Sequence, residues 1–314
     1  MKFKQFLFAA FIAAFAGMAM VGCNENPDDP GTGDDVNPVT NLEAVSLSST
    51  SVGLRWTAST SDVDEYIVSV REPDGEEILS ETMTETNVEI TGLTAGTIYT
   101  FGVTAVDTDL ASGDDMSEET TILWSPAQRI TTDNKVTGTL RIYPQSVVGK
   151  GSGIVLTSTG AYNALVGGTP SSTSDHGIIQ LIADLNVGAA TFTIGAPEAF
   201  TQFTNHSSFR TDVQISDETY AITSLDTWYN DASLESLFTT ANDGFFTLQD
   251  AQTAGQNVGF ALRWGSPGQY RYARVMVVAA ASGNLIKTDS NGDPYVEVQF
   301  SYQDAPGVPY ARGN

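Results

Sequence analysis

The stretch that decides the fold at the N-terminal side of the chain is residues 86–106, which read TNVEITGLTAGTIYTFGVTAV. Val88 and Ile90 alternate with polar residues, as in a strand with one buried face. Residues 92–96 then form a glycine-bounded corner around the apolar Leu93. After the corner, apolar residues return at every second position and share one face of a further strand: Tyr99, Phe101, Val103 and Ala105. The pattern predicts two strands of a β-domain joined by a corner.

The length and composition predict an all-β chain with two domains. The 314 residues are long for one small sandwich and comfortable for two domains. Hydrophobic residues make up 41% of the chain, which is enough for packed cores. Thr, Ser, Gly, Val and Ile dominate, and short alternating runs recur between turn residues, which favours strands.

The charge and the rare residue types exclude several classes of function. The 38 acidic and 14 basic residues give a net charge of -24, which repels nucleic-acid phosphates, so we expect no nucleic-acid binding. The single cysteine permits no disulfide within the chain and no cysteine-based zinc site. Two histidines limit histidine-dependent catalysis and metal binding.

Residues 1–22 have the pattern of a signal peptide. Two lysines precede an apolar segment at 6–20 that is too short to span a membrane comfortably. The MVGC sequence that ends at Cys23 resembles a bacterial lipobox, which implies that Cys23 is lipidated and becomes the first residue of the mature protein. Acyl chains hold a protein to a membrane by burying CH₂ groups, each worth about 0.8 kcal/mol. An ordinary signal peptide that happens to contain a cysteine is the alternative.

Residues 23–36 predict an acidic, disordered tether. The sequence NENPDDPGTGDDV after the cysteine offers almost no apolar residue to bury. Its acidic residues resemble the surface-export signals of some Gram-negative lipoproteins, and a solvated linker is the alternative. Together, the N-terminal features predict a lipid-anchored outer-membrane protein, with the cell surface and the periplasm both open as its location.

Residues 37–132 show the alternation of about seven short strands. They resemble a fibronectin type III domain in PVxNL at 38–42, LxW at 54–56, YxV at 66–68 and LTAGTxYxFxVxA at 93–105. The resemblance implies an immunoglobulin-like sandwich that serves as a binding or spacer module without catalytic residues. In such sandwiches the tyrosine after the corner, here Tyr99, hydrogen-bonds back to the upstream backbone. The acidic loop at 107–119 is either solvated or, as the alternative, a calcium site.

Residues 133–314 show no recognised family resemblance and are predicted to form a larger, mostly-β sandwich or jelly-roll-like domain. One short helix is predicted near 231–238, with Asp231 as its cap. Eight strands are predicted, at 136–143, 153–158, 177–185, 190–194, 209–215, 258–264, 270–279 and 295–302.

The candidate ligand-binding residues lie on the hairpin at 260–275. One interpretation is an aromatic–guanidinium platform for a sugar or an anionic group. The alternative, which we favour, is that the arginines pair with acids across the sheet and the aromatic rings lie in the core. The residues concerned are Arg263, Trp264, Tyr270, Arg271, Tyr272 and Arg274.

Two further patterns carry weaker hypotheses. Residues 289–293 read DSNGD, which starts like a calcium loop but places its glycine one position early and lacks the later glutamate, so a hairpin turn is expected. His176 and His206 suggest a haem-capturing lipoprotein, in which two imidazoles hold the iron. No nucleophile elbow is present, and no carboxylate spacing argues for a glycosidase.

These observations predict a non-enzymatic, membrane-anchored lipoprotein that needs no cofactor and no metal. Its membrane contact is the lipid on Cys23, and its partner is a protein or a glycan. The alternatives are a haem or small-ligand capture lipoprotein and the non-catalytic part of a carbohydrate-active system.

Overall fold

The computed structural model describes residues 35–110, 115–164, 173–203, 206–225, 234–239 and 243–309. These residues are all-β, and no helix among them reaches seven residues, which confirms the predicted fold class. None of the described helices is long and apolar enough to cross a membrane. The signal peptide, Cys23 and the tether up to residue 34 lie outside the described residues.

The N-terminal domain is a sandwich of two sheets. One sheet has the strand order β1-β2-β5 and the other β4-β3-β6-β7, so the expectation of about seven strands is confirmed. Val36, at the end of the stretch expected to be a tether, packs in the core of this sandwich. The strands are β1 (Thr40–Ser48), β2 (Ser51–Thr57), β3 (Glu65–Arg71), β4 (Glu77–Met83), β5 (Asn87–Ile90), β6 (Tyr99–Val106) and β7 (Thr120–Trp124).

The corner before β6 has the hydrogen bond that the sequence predicted. The hydroxyl of Tyr99 accepts a bond from the backbone amide of Thr94 at 2.9 Å. Leu93 is buried beneath the corner. Gly92 and Gly96 adopt φ values of 79° and 83°, which favour glycine. The corner is therefore closed by one buried tyrosine and two glycines.

The C-terminal domain is a larger sandwich. One sheet has the order β11-β10-β12-β13-β16; the other contains β14-β17-β18-β20-β19, with β15 beside β17 and with β8 and β9 beside β20. The strands are β8 (Gln128–Ile130), β9 (Leu140–Ile142), β10 (Gly153–Thr157), β11 (Gly160–Ala164), β12 (Leu181–Asn186), β13 (Thr191–Gly195), β14 (Val213–Ile215), β15 (Tyr220–Ile222), β16 (Phe245–Gln249), β17 (Asn257–Trp264), β18 (Arg271–Val277), β19 (Ile286–Thr288) and β20 (Pro294–Gln303).

The two sheets of this domain share one core. Ile154 and Phe192 from the first sheet lie in the same cluster as Phe260, Val275 and Phe300 from the second. The helical segments around this core are short 3-10 turns. They are Thr173–Ile178, Val187–Ala189, Pro197–Ala199, His206–Ser208 and Leu234–Leu237.

The last of these turns lies within the stretch predicted as a short helix. The proposed cap, Asp231, lies outside the described residues. Leu234 and Leu237 are buried, as their spacing predicted. The segment packs against β18 through Phe238, whose ring centre lies 6.2 Å from that of Tyr272.

The two domains are joined by a short, buried connection. Only residues 125–127 separate β7 of the first sandwich from β8, which pairs with β20 of the second. Ser125 and Ala127 are buried, and the Trp124 indole donates to Ser46 Oγ at 3.0 Å. A chain connection this short and this buried leaves little room for hinge motion between the domains.

Candidate functional site

Arg263, on β17, lies between two aromatic rings. Its guanidinium carbon is 4.6 Å from the ring centre of Phe238 and 4.5 Å from that of Tyr270. Its Nε donates to Gln214 Oε1 and its Nη1 to Glu235 Oε1, each at 2.7 Å. An aromatic–guanidinium stack therefore exists, but side chains of this chain already occupy these two donors.

Tyr272 completes this cluster. Its hydroxyl donates to the carboxylate of Glu235. Burial and that hydrogen bond together raise the pKa of Tyr272 above its ordinary value. Glu235 is thus held by both Arg263 and Tyr272, and the cluster fastens segment 234–239 to the sheet.

The other three candidate residues lie elsewhere. Trp264 faces the opposite side of β17 and stacks on Tyr302, with ring centres 5.4 Å apart. Arg274 is fully buried near the domain junction, with its guanidinium carbon 5.8 Å from the ring centre of Trp124. Arg271 is partly exposed and donates through Nε to the backbone oxygen of Asp304 at 2.8 Å. The structure thus brings together Arg263, Tyr270 and Tyr272 and separates the rest.

Both histidine side chains pack against the ring of Phe209. His176 Nδ1 is 2.8 Å from Ser208 Oγ, and His206 Nε2 is 2.8 Å from the backbone oxygen of Glu198. The ring of Phe209 contacts both imidazoles edge-on, at centroid distances of 5.6 and 6.1 Å. This packing gives haem capture no support.

Residues 289–293 form a turn that holds a lysine. Asp289 and Asp293 both accept hydrogen bonds from Lys150 Nζ, and the turn joins β19 to β20, as the hairpin prediction required. The Lys150 hydrogen bond, followed by bonds from the Asn291 and Asp293 amides, lowers the pKa of Asp289 to about 2. An ammonium group therefore lies where the alternative interpretation placed calcium.

The acidic loop at 107–119 is described except for residues 111–114. Glu119, at its end, accepts bonds from Ser69 Oγ and Arg71 Nη2, each at 2.6 Å. Burial raises the pKa of Glu119, but these two bonds more than offset it, so the net pKa lies below the ordinary value. Within the described ranges, no three His, Cys, Asp or Glu side chains are grouped so that they could hold a metal ion.

A cleft of about 380 Å³ opens beside β9 in the C-terminal domain. Arg141 projects into it because Leu140 and Ile142 face the core. The loop at 133–139 forms one wall and residues 143–150 contribute another. The lining residues are Asp133, Lys135, Val136, Thr137, Thr139, Arg141, Tyr143, Gly149, Lys150 and Asn163.

Sequence reasoning missed this cleft. Its three cations, Lys135, Arg141 and Lys150, are spread along the chain and match no motif. The available signal was the alternation Leu140-Arg141-Ile142, which places a charged residue on the face opposite to the core. The convergence of the two loops around it could not be inferred from that pattern.

The first sandwich belongs to the immunoglobulin-like class by its seven strands and its tyrosine corner. Residues 37–122 match the fibronectin type III domain family, and they form such a domain. Domains of this type are typical of interaction and binding proteins. The match ends before the C-terminal sandwich begins.

Three proteins illustrate the similarity. The receptor-type tyrosine-protein phosphatase eta of Gallus gallus is 39% identical over 71 residues, which are 23% of this chain and 5% of the phosphatase. The fn3 domain of the human collagen alpha-1(XX) chain is 20% identical; the match covers 35% of this chain and 100% of that chain, with a TM-score of 0.28. The FN5 domain of Drosophila Lar is 18% identical; the match covers 29% and 96% of the two chains, with a TM-score of 0.24.

Proposed function

We propose that this protein is a membrane-anchored, non-enzymatic lipoprotein of a Gram-negative bacterium. Its fibronectin type III domain displays the C-terminal sandwich to a protein or glycan partner. The observation that carries the proposal is the buried joint between the two sandwiches. A spacer that is to hold a second domain at a fixed orientation needs such a joint, whereas independent domains are usually separated by an exposed linker.

The N-terminal sequence supplies the anchor in this proposal. Lipid on Cys23 would hold the protein to a membrane, and the acidic stretch that follows it would separate the sandwich from the bilayer. A linker with the polar, acidic composition of residues 24–34 is expected to let the anchored sandwiches reach a partner.

The test is cell fractionation of the wild-type protein and a Cys23→Ser variant in a Gram-negative host. We expect the wild type in the membrane fraction, released by detergent only, and the serine variant outside that pool. Met20→Leu is the matched control, because it restores the more usual lipobox residue and should leave anchoring intact. Release of the wild-type protein without detergent, unchanged by Cys23→Ser, would contradict the anchor.

Added protease then distinguishes the two faces of the membrane. If the anchored protein is digested in intact cells, the displayed domain is on the surface. If it is digested only after the outer membrane is opened, the protein faces the periplasm.

A further inference from the structure

We propose that the cleft beside β9 is a binding site for a small organic carboxylate, with Arg141 as its anchor. The inference rests on the proposed function, because it names the class of ligand that the displayed sandwich would capture. The cleft volume of about 380 Å³ lies within the range of roughly 300–1,000 Å³ typical of small-molecule sites.

Arg141 has a guanidinium group whose charge no acid of the described chain neutralises by direct contact. Within the described residues, no Asp or Glu oxygen lies within 4.0 Å of it. Glu297 stands directly opposite Arg141 on β20, but its carboxylate pairs with Lys287 at 3.0 Å. The one carboxylate in the lining, Asp133, accepts hydrogen bonds from backbone amides and does not pair with Arg141.

The guanidinium is also held in place. Its carbon lies 4.4 Å from the ring centre of Tyr295, and its Nε is 3.4 Å from Thr139 Oγ1. A hydrogen bond with Tyr143 raises the pKa of Arg141 and uses part of the guanidinium edge. Stacking on a ring uses only the face of the guanidinium and leaves its remaining in-plane N–H groups available. Those groups form a planar fork that matches the two oxygens of a carboxylate.

The other two cations of the cleft favour a single negative charge on the ligand. Lys150 already binds Asp289 and Asp293. Lys135 lies 3.5 Å from Asp175 and over the ring of Tyr162. Both lysines are thus neutralised by carboxylates, and Arg141 is the one cation of the lining without an acidic partner among the described residues, so the site fits one carboxylate better than a polyanion.

The walls of the cleft are fixed before any ligand arrives. Asp133 accepts bonds from the amides of Lys135, Val136 and Asn163, at 2.8, 3.3 and 2.8 Å. The Asn163 side chain donates to the backbone oxygen of Arg141 at 2.7 Å. A site built in this way loses little conformational entropy when it binds.

Exposed apolar side chains border the cleft. Val136, in the wall, is 62% exposed, and Val148, one residue before the lining Gly149, is 89% exposed. Exposed valines beside a cationic centre suit a ligand with a carboxylate at one end and carbon at the other.

The test is saturation-transfer NMR on the purified full chain with three probes of different carbon part: hexanoate, benzoate and galacturonate. Each is compared with an uncharged counterpart: hexanamide, benzamide and galactose. We expect at least one carboxylate to bind tenfold or more tightly than its counterpart, and the probe that binds tells an aliphatic, aromatic or sugar acid apart. If no carboxylate binds, or the uncharged counterparts bind equally well, the proposal is overturned.

Two variants locate the site. Arg141→Gln should weaken the carboxylate by tenfold or more, while Arg55→Gln, which removes an arginine paired with Glu43 on the first sandwich, should not change it. Val136→Glu adds a negative charge at an exposed position beside the cleft, so it should weaken binding of the carboxylate several-fold without disturbing the core. Unchanged binding in both cleft variants would place the ligand elsewhere.

The failure of this proposal can be told apart from the failure of the proposed function, because anchoring is measured by fractionation. A soluble protein that binds the carboxylate would contradict only the lipid anchor, and an anchored protein that does not bind it would contradict only the binding site.

Discussion

The side-chain amide of Gln303 donates to Ser125 Oγ at 3.0 Å and to the backbone oxygen of Pro126 at 2.7 Å. Gln303 ends the last strand of the C-terminal domain, and the two acceptors lie in the connection from the fibronectin type III domain. All of these contacts are buried, so water cannot easily replace them. The end of β20 therefore holds the connection between the two sandwiches through two hydrogen bonds.

Gln303→Ala should destabilise the protein and loosen the joint. Removing the Gln303 amide leaves Ser125 Oγ and the Pro126 carbonyl oxygen buried without this hydrogen-bond donor. We expect the free energy of unfolding to fall by about 1–3 kcal/mol. Urea denaturation measures the cost, and limited proteolysis should reveal new cleavage near residues 125–127. Gln249→Ala, at an exposed position on β16, is the control and should show neither effect. Equal stability of the two variants would mean that the clamp does not hold the joint.

Tyr99→Phe should lower the stability of the N-terminal sandwich by about 1 kcal/mol, because the Thr94 amide loses its partner. The control is Tyr66→Phe, since Tyr66 is equally buried but its hydroxyl bonds to none of the described residues. Denaturation monitored by tryptophan fluorescence gives the comparison. If both variants lose the same stability, the loss belongs to the ring environment and not to the corner.

The N-terminal sandwich could be predicted from sequence to the level of a single hydrogen bond. The sequence signals for this sandwich are local. The alternation of apolar and polar residues sets the buried faces of the strands, and the corner places Tyr99 within reach of the backbone to which it bonds. The C-terminal sandwich was predictable only as a class. Its β20 pairs with β19 across the hairpin that the sequence predicted, but it also pairs with β8 and β9, and no local pattern specifies partners so distant along the chain.

The candidate residues show the same limit. The sequence placed Trp264 and Tyr272 together among six candidate residues of one hairpin, whereas the structure places Trp264 in the main core and Tyr272 in a separate cluster. The sequence also could not show that Glu235, distant along the chain, accepts hydrogen bonds from Arg263 Nη1 and from the Tyr272 hydroxyl. Arg141 could not be singled out from the sequence, because what distinguishes it is that no described Asp or Glu pairs with it, and this is evident only in the folded chain.

Arg263→Lys should destabilise the protein by about 1–3 kcal/mol, although it keeps the charge. Lysine cannot stack flat between Phe238 and Tyr270, nor bond Gln214 and Glu235 at once. Arg271→Lys is the matched control: Arg271 is partly exposed and pairs with Asp304, so its change should stay below about 1 kcal/mol. The midpoints of urea denaturation compare the stability of the two variants. Hydrogen exchange at residues 234–239 should become faster in Arg263→Lys alone.

Acid should weaken the contact between Lys150 and the turn at 289–293. The pKa of Asp289 is lowered from 3.8 to about 2, so the stabilisation is complete above about pH 4 and is lost as the pH falls through about 2. Carboxyl carbon NMR should give a midpoint near 2 in the wild type and a value closer to 3.8 in Lys150→Met. Lys287→Met, whose ammonium binds Glu297 instead, should leave the midpoint unchanged. A wild-type midpoint near 3.8 would show that the lysine contact is not formed in solution.

Lipidation of Cys23 can be measured directly by metabolic labelling with an alkyne-tagged palmitate in a Gram-negative host, followed by the intact mass of the purified protein. The display proposal predicts a labelled wild type whose chain starts at Cys23 with its acyl groups attached, and no label in Cys23→Ser. An unlabelled wild-type chain that starts elsewhere would contradict it, and the two sandwiches would then have to act without a lipid anchor.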